Sequence, residues 1–375
     1  MNDIVYDSER CLINVASSVL SYFGVKPFHE TLKCLDEILN GRKPQKVAIL
    51  LFDGLNTYVK NKNLRPEDSL IRHTKLSVTS VFPATTVAAT TALLSGRFPC
   101  ETGWLGWSQY FRDFDVTLDM FTNTISKTDQ KYSRALSEEL CSYESIIDLI
   151  NKSGNGTAEI LRPHAIGGQA KNLSHFFELL DRKLCGRNKS FLYAYWPDPD
   201  AIMHVEGVSS RKVKQVIRYI DKHVARIASK HKDTLFLVLA DHGMIDIKLQ
   251  RIDEHPDFYA LLERKPCLDC RATMFFVAPK NQKRFESLFD RYYGPYFLLK
   301  TKKEIIEEHW FGIGISHPMF ESFLGDYMAV SISDRTFFIP NESGETIPVV
   351  AAHSGILKEE TEIGIAVYND EFPLL

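Results

Sequence analysis

Residues 47–54 read VAILLFDG, residues 191–204 read FLYAYWPDPDAIMH, and residues 234–244 read TLFLVLADHGM. Each is an apolar run that ends in acids and histidines. Continuous apolar runs of this length fit strands buried on both faces, as in a parallel sheet covered by helices. Asp53, Asp200 with His204, and Asp241 with His242 then fall at or just past strand ends. A late VVAAHSG (349–355) adds His353. Open α/β sheets bind ligands outside the carboxyl ends of their strands. One such residue means little; four segments feeding carboxylate and imidazole to one edge point to a metal-dependent enzyme.

Working outward, INVASSVLSYFG and HETLKCLDEILNG have helical spacing between about 9 and 40, with Gly41 as a helix stop. KLSVTSVF predicts a second strand closed by Pro83, and VAATTALLSG a helix of small residues ending at Gly96. SEELCSYESIIDLINKSG and HFFELLDRKLCG read as helices, and SSRKVKQVIRYIDKHVARIASKH as a long amphipathic one. The alternation predicts an α/β fold with a mostly parallel central sheet flanked by helices. After Met244 the rhythm changes to strand, helix, strand, helix, strand. The expected organisation is a catalytic α/β core of residues 1–245 and 345–375 with a small α+β cap-like insertion over 246–344. IPVVAAH and IGIAVYN are expected to rejoin the main sheet.

Composition narrows the class. The 375-residue chain is 44% hydrophobic and 25% charged, which suffices for a substantial core. A formal net charge of −3, from 45 basic and 48 acidic residues, argues against a nucleic-acid polymer or an anionic membrane as partner. Seven scattered cysteines fit reduced thiols better than a disulfide framework. The N-terminal residues carry early acids and do not read as a signal peptide. No stretch reaches the roughly 18 uninterrupted apolar residues of a membrane span. The expected location is cytoplasmic.

In SVFPATTVAATTALLSG (80–96) a hydroxyl stands where a strand turns into a helix. Helix N–H groups and the positive end of the dipole favour a phosphate there. A threonine hydroxyl is a poor nucleophile unless a metal or base activates it. Simple N-caps are the alternative reading of Thr85 and Thr86. Asp200 and His204, four residues apart, share a face if helical. Adjacent Asp241 and His242 at a buried strand end need polar partners.

Taken in order, Asp53, the FPATT turn with Thr86, DAIMH, DHG and AAHSG resemble the alkaline phosphatase superfamily, in its type I phosphodiesterase/nucleotide pyrophosphatase branch. The resemblance runs from about residue 45 to the end. It implies one metal held by Asp53, Thr86, Asp241 and His242, and another by Asp200, His204 and His353. Zinc is the implied metal; mixed carboxylate–imidazole ligation suits it, and manganese fits the same set. It also implies hydrolysis of a small-molecule phosphate ester or nucleotide, with Thr86 as nucleophile and a phosphothreonine intermediate. Phosphomonoesterase, phosphonate hydrolase and metal-dependent phosphomutase activities of the same superfamily are the alternatives.

Two positions depart from the family pattern. Nucleotide pyrophosphatases carry an asparagine three residues after the nucleophile, where this chain has Ala89. Many relatives carry a histidine after the nucleophile helix, where this chain has Thr102. Trp104, Trp107 and Tyr110 are expected in the core, with an aromatic wall for a substrate ring as the alternative. Arg271 is a weak candidate for a substrate anion, against a surface ion pair. Cys267 and Cys270 form a lone Cys-x-x-Cys, expected as free thiols. His73, His164, His255, His309 and His317 have no matched role.

Overall fold

The structure, a computed structural model, describes residues 6–186, 188–339 and 349–370. Its central sheet has six strands, in the order Thr74–Thr79, Glu362–Tyr368, Thr234–Leu239, Lys46–Phe52, Ser190–Trp196 and Thr157–Leu161. Lys46–Phe52 runs parallel to Ser190–Trp196 on one side and Thr234–Leu239 on the other. Glu362–Tyr368 is antiparallel to both of its neighbours, so the sheet is mixed but mostly parallel. Every residue of Lys46–Phe52 and Thr234–Leu239 is buried, which is why these strands read as unbroken apolar runs.

Register brings the site together. Phe52 lies opposite Trp196, and Leu51 opposite Leu239. Three strands therefore end at one level, and Asp53, the 197–204 segment and Asp241 emerge side by side.

The helix Thr86–Ser95 is almost wholly buried, and its alanines and threonines let neighbouring elements approach closely. Leu12–Tyr22 packs against it. Arg211–Lys230 covers the sheet with Val213, Ile217, Ile220, Val224 and Ile227, a stripe at helical period, and Ser210 accepts a hydrogen bond from the Val213 N–H at its start. No described helix is long and apolar enough to cross a membrane.

A second, antiparallel sheet has seven strands: Phe297–Thr301, Tyr327–Ser331, Ala272–Phe275, Cys267–Leu268, Ser108–Phe111, Val116–Asp119 and Thr124–Ile125. It draws on residues 108–125 as well as 267–331. One face packs on its own aromatic core, including Phe258, Phe275, Phe285, Phe289 and Phe337. The expected core boundary at 344–345 lies outside the described residues.

Local expectations differ in three places. The helix over 33–42 runs through Gly41 and stops at Lys43, whose φ of 46° is left-handed, ahead of Pro44. The run expected as one helix from Ser137 breaks at Cys141, because Ser145 caps a new helix by accepting from the Asp148 N–H at 3.2 Å. Ala351–Ala352 does not rejoin the main sheet; it pairs with Ile245–Asp246, which carries His353 toward the strand ends.

Candidate active site

The Asp53 N–H donates to the Trp196 carbonyl at 2.9 Å, and the Asp200 N–H to the Asp53 carbonyl at 3.1 Å. These bonds continue the parallel ladder one step past the strands. Gly54 has φ +71°, and a Cβ there would lie 2.8 Å from Met203 Cε and 3.2 Å from Asp200 Cβ. Glycine is what lets the 200–204 segment close on Asp53. Asp241 Oδ1 accepts from the N–H groups of Gly54 at 3.2 Å and His242 at 3.0 Å.

Thr85 is the N-cap residue of the helix Thr86–Ser95, but its hydroxyl makes no cap bond. Thr86 opens the helix. Its Oγ1 lies 3.1 Å from His242 Nε2, and 3.5 and 3.4 Å from the two Asp53 oxygens. The phenol of Tyr195 donates to Asp53 Oδ2 at 2.5 Å.

The three histidines are oriented alike. His204 Nδ1 meets the Ala351 carbonyl at 2.8 Å, His242 Nδ1 the Gly243 carbonyl at 2.9 Å, and His353 Nδ1 the Ala84 carbonyl at 3.1 Å. A carbonyl oxygen only accepts, so each Nδ1 carries a hydrogen and each Nε2 is the free ligand nitrogen of the neutral ring. His242 Nε2 is 3.2 Å from Asp53 Oδ1, His204 Nε2 3.4 Å from Asp200 Oδ2, and His353 Nε2 3.8 Å from Asp200 Oδ1.

Two groups of donors follow, each mutually within 4.8 Å: Asp200, His204 and His353, and Asp53, Asp200 and His242. Asp200 is common to both. Asp241 adjoins the second, with Oδ2 3.5 Å from His242 Nε2. Burial, followed by the charge of Asp200, raises the Asp53 carboxyl; burial, followed by the charge of Asp53, pushes Asp241 well above the carboxylate range. Burial alone would raise Asp200 too, but His204 and His353 hold it low. Burial presses His353 well down. Asp200 Oδ1 and Asp241 Oδ2 are buried and have no hydrogen-bond partner among the described residues. Orphaned carboxylate oxygens beside free imidazole nitrogens are the donor set of a divalent cation.

The sequence profile of the type I phosphodiesterase/nucleotide pyrophosphatase family matches residues 47–286, a span that holds Asp53, Thr86, Asp200, His204, Asp241 and His242. The chain belongs to this family. It is therefore a divalent-metal-dependent phosphoryl hydrolase, within the alkaline phosphatase superfamily. Among solved structures it is similar to the murine ectonucleotide pyrophosphatase/phosphodiesterase 5, at 17% identity, 86% of this chain, 88% of that chain and a TM-score of 0.62. The human form is similar at 15% identity, 86% and 87% coverage and a TM-score of 0.63. Phosphonoacetate hydrolase from Sinorhizobium meliloti 1021 is similar at 11% identity, 88% and 92% coverage and a TM-score of 0.64. At these identities the likeness is one of fold. A comparison with functionally curated sequences found no significant match.

In this phosphodiesterase-family chain the remaining candidates sit apart from the ligand cluster or beside it. Trp104 is buried, and its Nε1 donates to the Cys141 carbonyl at 2.7 Å. Trp107 is 43% exposed and stands edge-on to Phe121, and its N–H donates to Asp269. Arg271 is fully buried; its guanidinium holds Glu360 at 2.8 Å through two nitrogens and also donates to the carbonyls of Arg335 and Ser333. All seven cysteines are free thiols. Asp181, Cys185 and His231 form another cluster, but both Asp181 oxygens are already engaged, by His231 at 2.6 Å and Lys230 at 2.7 Å.

Sequence reasoning missed Tyr195 and Glu360. Tyr195 was legible: two-residue alternation from Tyr193 puts both on one face of the strand. Glu360 sits in the run KEETE (358–362), which resembles an ordinary solvated turn.

Proposed function

We propose that this enzyme cleaves small-molecule phosphodiesters or nucleotide pyrophosphates with Thr86 as nucleophile. One ion is assigned to Asp53, Thr86, Asp241 and His242 and the other to Asp200, His204 and His353; zinc held there would supply charge neutralisation and Lewis acidity. Thr86 Oγ1 attacks phosphorus in line, its proton leaving on the side of Asp53, 3.4 Å away. The Thr86–phosphorus bond forms as the bond to the leaving oxygen breaks. Water then attacks the phosphothreonine and releases the threonine hydroxyl and the phosphate product. The first-turn N–H groups of the helix face the equatorial oxygens throughout. The hydrogen bond of Tyr195 fixes the rotation of the Asp53 carboxylate.

The observation that carries this reading is the convergence of free imidazole nitrogens and orphaned carboxylate oxygens beside the Thr86 hydroxyl at the N-terminus of its helix. An inactive threonine-to-alanine variant of the murine structural neighbour holds AMP, which supports both a threonine nucleophile and a nucleotide ligand here. The test is hydrolysis of bis-nitrophenyl phosphate and nitrophenyl phosphate, side by side, by the zinc-loaded protein. Diester preference is expected. Monoester preference would move the assignment to a phosphatase, with Ala89 as the first residue to replace.

A further inference from the structure

The turn Lys358–Glu362 touches the chain beside Asp53, the Asp241–His242 segment and the His353 loop. Its backbone carbonyls at Glu359 and Glu362 accept from Asn56 Nδ2, at 2.8 and 3.0 Å. The Thr361 carbonyl accepts from the Ser80 N–H at 2.8 Å, and Ser80 Oγ in turn donates to the Asp241 carbonyl at 2.5 Å. The Glu360 carbonyl accepts from the Gly243 N–H at 2.7 Å, one residue after His242. The Glu360 side chain reaches the other way, where Oε1 accepts from the Gly355 N–H at 2.7 Å, two residues after His353.

Between those two bonds, one residue ties together loops that are more than a hundred positions apart in the chain. Ser354, between His353 and Gly355, has φ +85°, which a non-glycine residue holds only when its surroundings fix it. Glu360 is itself fully buried, and so is the arginine that neutralises it. Arg271 comes from the end of the second sheet, where its other donors hold the Arg335 and Ser333 carbonyls at 2.7 and 2.8 Å. A Cβ at Gly355 would lie 2.6 Å from Glu360 Oε2 and 2.8 Å from an Arg271 nitrogen, so the loop is pressed against the ion pair.

We propose that Glu360, its charge neutralised by Arg271, is a positioning residue for the metal centre: it sets the spacing of the His242 and His353 loops. The inference rests on the assignment of those two histidines as metal ligands. Partners of ligand loops typically alter metal affinity about 10- to 100-fold when removed. Removing one member of a buried ion pair leaves an uncompensated charge, whereas replacing both by apolar groups is often tolerated.

The test compares two double variants by competitive zinc chelation and thermal melting. Arg271→Met/Glu360→Met removes the acceptor for the Gly355 N–H. Arg271→Met/Glu360→Gln keeps it. The expected result is a loss of zinc affinity of about 10- to 100-fold in the first and recovery to within about threefold of wild type in the second. Equal affinities in the two would overturn the proposal, whatever happens to the melting temperature. Should the doubles not fold, Glu360→Gln and Glu360→Met are compared with Arg271 left in place, so that both lose the same charge; about tenfold weaker zinc binding in the second than in the first is expected, and equal affinities overturn the proposal. Asp200→Asn is measured alongside. Full zinc retention in that variant would overturn the ligand assignment itself, separately from the role of Glu360.

Discussion

Asp53 and Asp241 leave the central sheet from strands hydrogen-bonded along their whole length, whereas His353 sits beyond a two-residue pairing of Ala351–Ala352 with Ile245–Asp246. The first pair inherits its position from the parallel ladder. The second arm inherits its position from single contacts: Ala84 to the ring, Glu360 to Gly355, and the His204 carbonyl to the Val350 N–H. One site thus joins a ligand set built into the fold and a set held by packing. The difference teaches where the centre is rigid and where it is exposed to loss.

The largest effect should come from the nucleophile, which belongs to neither arm. Thr86→Ala is expected to lower kcat about 10³-fold or more while zinc content and melting temperature stay near wild type. Turnover within tenfold of wild type would remove Thr86 from its role. Chelation separates the arms next. Graded treatment should strip the ion assigned to Asp200, His204 and His353 first, leaving a population with a single ion before the empty protein accumulates. Loss of both ions in one step, followed by metal analysis of dialysed samples, would break the comparison.

Gly355→Ala sharpens it. The added methyl meets Glu360 and Arg271 at under 3 Å, and overpacking of that kind costs about 1–3 kcal/mol. Denaturant midpoints should fall, with zinc affinity falling alongside; Gly186→Ala, with nothing within 4 Å of its Cβ among the described residues and no left-handed φ, serves as the control for adding a methyl in open space.

The smallest effect lies on the antiparallel flank of the sheet. Lys60 is 2% exposed, donates to Thr74 Oγ1 and the Gly364 carbonyl at 2.9 Å each, and burial lowers its pKa to about 7. A lysine depressed in the folded state binds fewer protons there than in the unfolded chain. The resulting penalty is full below pH 7 and fades between about 7 and the ordinary 10.5. Lys60→Met should therefore stabilise the protein at pH 6 by about 1–3 kcal/mol, after the lost hydrogen bonds are counted, and by less or not at all at pH 10. An equal change at both pH values would show that the amine's titration is not involved. Turnover should be unaffected.

The sequence carried the strand-borne ligands because a buried parallel strand is a continuous apolar run, and a polar residue stands out at its end. Asp53 and Asp241 are legible for that reason, and Asp200 and His204 by their spacing after Trp196. The second sheet was legible only in part. Ser108–Phe111 mixes polar and aromatic residues and Val116–Asp119 polar and aliphatic ones, and both lie far from Cys267–Leu268 in the chain, so nothing local joins them to it. Arg271 reads as a surface charge until its partner is known, and Glu360 is one acid in an acidic turn. Burial of a charge is a tertiary fact: it exists only when two distant segments meet.

That second sheet also sets a rule for anyone wishing to exchange the pocket walls between relatives. Ser108 pairs with Leu268, and Val116–Asp119 extends the same sheet outward. Lifting out residues 246–344 as a cassette would strip Ser108–Phe111 of its neighbour and present a fresh strand edge to other molecules. A graft that is to stay soluble must carry 104–125 with it, two pieces of chain moved as one.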